Sequence, residues 1–124
     1  MAEINEFTYE LNSSDLDIAN IAKIRLEVGD TDPERGIKPH GDNYTDDEIL
    51  YAFNQEERIV GRAAAKIFEM AAAAWTAVPR TMFGALFDPR SVATNYMKMA
   101  KTLRMQYGHS NTQSQTFSVG VKRF

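Results

Sequence analysis

The chain has 124 residues, a formal net charge of −3, 44% hydrophobic residues and no cysteine. That length fits one domain burying about two-thirds of its unfolded surface, and the missing thiols exclude disulfides, thiolate catalysis and zinc–thiolate sites. The acidic balance argues against a dedicated duplex-DNA binder, and no apolar run approaches the ~20 residues that cross a bilayer.

The opening "MAEINEFTYE" is acidic and lacks the basic and apolar blocks of a signal peptide, so manufacture and use in the cytosol are expected. Phe7, Tyr9 and Leu11 alternate as in a strand, but the run is short and reads best as an ordered arm lying on the core.

Helical periodicity starts in "SSDLDIANIAKIRLEVGD". Ser14 and Asp17 have the spacing of a capping box, Ile18, Ile21, Ala22 and residues 24–28 form an apolar stripe, and Gly29 is placed to stop the helix. The following residues, 29–44, are polar and aperiodic, which marks the loop as either functional or mobile. Asp30, Asp32 and Glu34 have the first three ligand positions of a calcium loop. The turn glycine comes one residue late, however, and Gly41 stands where the closing glutamate belongs, so no metal is expected.

The next helix has the clearest local signature, "YTDDEIL". Thr45 caps it, Glu48 reaches back, Tyr44 packs on Ile49 as a staple, and Asp46 and Asp47 suit its positive end. Capping accounts for these carboxylates without acid–base chemistry. A third helix is predicted over residues 57–78, with Val60, Ala63, Ala64, Ile67, Phe68, Ala71, Ala74, Trp75 and Val78 facing inward. Ala65, Ala72, Ala73 and Ala77 carry small residues onto its other faces. Such an all-round apolar helix needs a second cover, expected from a neighbouring subunit.

"RTMFGALFDPRS" reads as a short extended or hairpin link, and Asp88 before Pro89 opens a fourth helix. Val92, Tyr96, Met99, Ala100, Leu103 and Tyr107 are predicted to face inward, with Gly108 at the end. Lys98, Lys101 and Arg104 fall on the outer face, a solvated surface with the alternative of facing DNA. Beyond the polar spacer "HSNTQSQ", Phe117, Val119 and Val121 alternate with polar or small residues up to Phe124. Burying these side chains barely offsets the entropy of ordering the segment, so a strand here needs the ladder bonds of a partner.

No phosphate loop, dinucleotide fingerprint, nucleophile elbow or paired-histidine motif occurs, and His40 and His109 lie in polar segments. The expectation is a mainly α protein, neither enzyme nor cofactor binder. It comprises a small bundle of about four helices over residues 1–108 with an N-terminal arm, a short extended link between helices three and four, and an extended tail over residues 109–124.

In order, "IRLEVGDTDPE", "YTDDEIL", "VGRAAAKIFEMAAAAW" and "DPRSVATNYMKMAKTLRMQYG" resemble the head–tail connector (adaptor) proteins of tailed bacteriophages. The likeness spans residues 15–108 and lies in the order and character of the elements. It implies a homo-oligomeric ring, commonly of about twelve copies, between the portal protein and the stopper or tail-completion proteins. Genomic DNA would pass through its lumen without sequence-specific binding. An acidic chain suits that task, since a gripping lumen impedes passage. Asp30, Asp32, Ala65, Ala72 and Ala73 are the expected contacts with neighbouring subunits. Phe117, Val119, Val121 and Phe124 are the expected portal contact, with pairing to "EFTYEL" of the same or a neighbouring chain as the other possibility. The alternative function is a small helical DNA-binding regulator reading through Lys98, Lys101 and Arg104.

Overall fold

The computed structural model describes residues 7–79 and 88–109. Its elements run α1 Leu16–Val28, α2 Asp46–Gln55, α3 Val60–Thr76 and α4 Pro89–Tyr107. A mainly α bundle forms as predicted. Among the described residues there is no strand, only an isolated bridge between Asp32 and Arg35. The predicted link at residues 80–87 and the tail positions Phe117, Val119, Val121 and Phe124 lie outside the described residues.

Helix ends follow local chemistry. Thr45 Oγ1 accepts from Glu48 N at 3.1 Å, and Glu48 Oε1 accepts from Thr45 N at 2.9 Å, a complete capping box. Tyr44 and Ile49 are both buried in one core cluster, as a staple requires. Asp88 caps α4, Pro89 sits in its first turn, and Gly108 closes it with φ 87°. Gly29 closes α1 in the left-handed conformation. The α1 cap is Asp15 rather than Ser14: Asp15 is extended, and its carboxylate accepts from the amides of Asp17 and Ile18. A carboxylate there answers both the free amides and the positive helix end.

α3 begins later than predicted, because Glu57 and Arg58 both have positive φ, 60° and 58°, and turn the chain sharply between α2 and α3. It then runs through the middle of the molecule, packed on α1, α2 and, most extensively, α4. Ala63, Ala64, Ile67 and Ala71 are completely buried against Ile21, Ile24, Ile49 and Phe53. Alanines let the axes approach closely. At Gly61 even a methyl group is too much, since a Cβ there would lie 2.2 Å from the Tyr107 ring.

The second cover of α3 is α4 of the same chain. Ala65 is 0% and Ala72 5% exposed, so Ala65 retains no surface for a neighbour and Ala72 only a sliver, contrary to expectation; Ala73 is exposed. On α4, Ala93, Ala100 and Arg104 are buried and Tyr96 stacks on Phe68, whereas Met99 is exposed, correcting its inward assignment.

Candidate functional surfaces

The loop after α1 is held by a buried charge cluster. Arg25 sits on the inner face of α1 with no exposed surface. Its Nη1 donates to Asp30 Oδ2 at 2.9 Å, its Nη2 to Asp46 Oδ1 at 2.7 Å, and its Nε to the Thr8 carbonyl at 2.9 Å. Phe7 covers the guanidinium at 4.0 Å, and Thr8 N also donates to Asp46 Oδ1. One side chain therefore joins the N-terminal arm, α1, the loop and the start of α2. This is why residues 7–10 lie along the core without pairing as a strand.

Asp30 is fully buried and also accepts from Asn43 Nδ2 and Tyr44 N, both at 2.9 Å. It pins the loop's two ends together inside the chain and has no surface for the neighbour contact expected of it. Asp32 is exposed; its carboxylate accepts from Glu34 N and its carbonyl from Asn43 Nδ2, an arrangement that shapes the turn. Further along, the Trp75 indole donates to Ile37 O at 2.8 Å, and Gly36 N donates to Gly41 O at 2.7 Å. A Cβ on Gly36 would fall 2.0 Å from the Asp42 carbonyl oxygen, so only glycine fits this close backbone approach. Residues 29–44, aperiodic in sequence, are thus fastened to the body at both ends and at Ile37.

A second cluster joins the other helices. Arg104, 7% exposed, donates to both Glu56 oxygens, at 2.7 and 3.1 Å, and to both Glu69 oxygens, each at 3.0 Å. It thereby ties α4 to the end of α2 and the middle of α3. Burial alone would lower the guanidinium pKa; the hydrogen bonds to Glu56 and Glu69 outweigh it and push the pKa above its usual value. Arg104 is therefore spent inside the fold, which removes it from the predicted outer face. Lys98 and Lys101 remain exposed.

Those lysines rim a groove of about 470 Å³ between α3 and α4. Ala72, Ala73, Ala93 and Met97 line it together with Thr76, Thr94 and Glu69. Ala73 is the one predicted alanine contact that reaches this groove with an exposed side chain. Among the described residues, no group of three His, Cys, Asp or Glu side chains could hold a metal ion, and His40 and His109 are both exposed. No described helix is long and apolar enough to cross a membrane.

Glu48 gives the capping box a pH dependence. Burial would raise its carboxyl pKa, but the Thr45 amide and hydroxyl and the Lys38 ammonium, 2.9 Å away, hold it below the ordinary value of 4.5. A lowered folded-state pKa contributes stability that is complete above the unfolded value and is lost as pH falls through the folded one. Wild-type melting temperature should therefore fall more steeply than that of Glu48→Gln between about pH 5 and pH 3, with the two curves converging in acid. Parallel curves in thermal melts would show that the charge of Glu48 does nothing for the cap.

No family model matches the chain, and no curated protein or solved structure matches it either.

Proposed function

We propose that this chain is a structural head–tail connector subunit of a tailed bacteriophage, assembled as a ring beneath the portal. The observation that carries the reading is the α3–α4 groove, an open floor of small apolar side chains with a lysine rim. It lies on a four-helix body, and the reading also draws on the sequence resemblance to that family. A groove floored by alanines admits the backbone of another helix closely, which suits the repeated head-to-tail contact of a ring. Ala73 and Met97 are the proposed contact residues.

DNA passes through such a ring without being gripped. The chain's net charge is −3, and Arg104 is neutralised by Glu56 and Glu69. Lys98 and Lys101 thus remain as the exposed pair from the three cations predicted on this helix. Phe117, Val119, Val121 and Phe124 are proposed to add a strand to the portal, each copy reinforcing the next because the ring presents many tails together. Stopper or tail-completion proteins would bind the opposite side. Assembly takes place in the host cytoplasm and the product resides in the virion neck.

The test compares the full chain with a variant ending at residue 109 for binding to the portal of the same virion. The shortened chain should keep the helical signal of the full one and bind at least tenfold more weakly. Equal binding would remove the tail from the interface. The DNA-binding alternative draws on Lys98 and Lys101 and requires salt-dependent affinity for duplex DNA, which the connector reading does not.

A further inference from the structure

Among the described residues, the turn between α2 and α3 is where non-glycine residues take positive φ against their local preference. Gln55, Glu56, Glu57 and Arg58 are strong helix formers with no proline among them, and α3 is predicted to begin at residue 57. Instead Glu57 and Arg58 take consecutive left-handed conformations, φ 60° and 58°, which side chains other than glycine adopt only under strain. Ile59, at the helix start, makes no side-chain cap.

Side-chain bonds hold the turn closed. Arg104 of α4 grips Glu56, Arg62 Nη1 donates to Glu57 at 2.7 Å, and Arg58 Nη2 donates to Asp17 of α1 at 2.6 Å. Before the turn, α1 and α2 are tied to one another by Arg25 and Asp46; both pack on α3, which with α4 forms the larger unit, and these contacts are mostly apolar. If residues 57–59 straightened, α2 and α3 would run on as one helix and the α1–α2 unit would leave its own α3–α4. It would expose a face that fits the same face of a second copy, so every helix contact could be remade between chains, with only the strained turn changed.

We propose that residues 57–59, just beyond Glu56 at the end of α2, are a hinge through which two copies of this chain exchange their α1–α2 units. Short, strained connections are the ones that favour such exchange, because opening them releases local strain while the interface itself is conserved. The inference is independent of the connector reading, since it concerns contacts buried within each subunit rather than its outer surfaces.

Charge complementation tests it. In the exchanged dimer, Glu56 of one chain meets Arg104 of the other. Glu56→Arg and Arg104→Glu each place like charges together in a closed monomer. Refolded together from denaturant, the two variants should form a mixed dimer at least tenfold more abundant than the dimer of either alone, with the helical signal of the wild type. Absence of that enrichment overturns the proposal, whether or not the single variants fold. A contact between outer surfaces gives no such rescue, because it leaves residues 56 and 104 of each chain facing one another. In a second arm, wild type and the Glu57→Gly/Arg58→Gly variant are refolded at equal high concentration. Glycine relieves the closed turn and disfavours the continuous helix, so the dimer fraction should drop at least tenfold from the wild-type value. An unchanged fraction, or no wild-type dimer at all, also overturns it.

Discussion

Replacing Arg25 with methionine should destabilise the protein by about 3–5 kcal/mol, because it strands a fully desolvated carboxylate. Asp30 is 0% exposed, and although Asn43 and Tyr44 would still donate to it, no cation would remain beside it. Asp46, on the same guanidinium, would lose its partner too, and the Thr8 carbonyl its donor. Against a total stability of about 5–15 kcal/mol for an ordinary domain, the loss is a large fraction. Urea unfolding monitored by helical signal measures it. Arg25→Lys should recover little, because one ammonium cannot reproduce the planar fork that reaches Asp30, Asp46 and Thr8 together. A loss below about 1 kcal/mol would mean that water reaches the cluster and that it behaves as a surface pair.

Arg104→Met should cost a similar amount, about 3–5 kcal/mol, by leaving Glu56 uncompensated at the end of α2. The side chains of Arg104 and Glu56 are only 5% and 1% exposed, so solvent screens the pair very little. The decisive comparison is the double variant Arg104→Met/Glu56→Leu. Removing both charges takes away the burial penalty along with the attraction, so the double variant should be more stable than Arg104→Met alone. If the two losses simply add, the pair is not coupled and the helices are held by apolar packing alone. The Arg104 result also bears on the α2–α3 turn, since Glu56 is the residue through which α4 keeps that turn closed.

These two arginines show where sequence reading stops. Helix ends were legible at Thr45–Glu48, Gly29, Asp88–Pro89 and Gly108 because a cap joins residues only a few positions apart. The inner stripe of α3 was legible for the same reason. Arg25 and Glu56 give no such signal: Arg25 bonds Asp30 five positions on but also Thr8 and Asp46, 17 and 21 positions away, and Glu56 meets Arg104 across 48. The available hint was positional. Arg25 follows Ile21 and Ala22 on the apolar stripe of α1, and Arg104 follows Ala100 on that of α4, so a helical wheel turns both charges inward.

Asp30 misleads for a related reason. Its spacing from Asp32 and Glu34 resembles a ligand set, and its place in a long polar loop suggests a neighbour, while its actual role depends on Arg25 and on the amide of Tyr44 across the loop. The alanine-rich α3 does need covers on more than one side. Composition does not say which element supplies the second, and α4 of the same chain took Ala65 and Ala72, leaving Ala73 in the open groove. Nor did helix propensity foresee the turn at Glu57 and Arg58, where packing of α2 against α3 overrides the local preference.

The connector reading rests on copies meeting through that groove and on a tail held by the portal. Its most direct test is the mass and particle shape of the full chain mixed with the portal of the same virion. A closed ring of many subunits seated coaxially on the portal vertex is the expected result. A chain that stays a lone subunit beside an unoccupied portal, at concentrations where virions assemble, contradicts it.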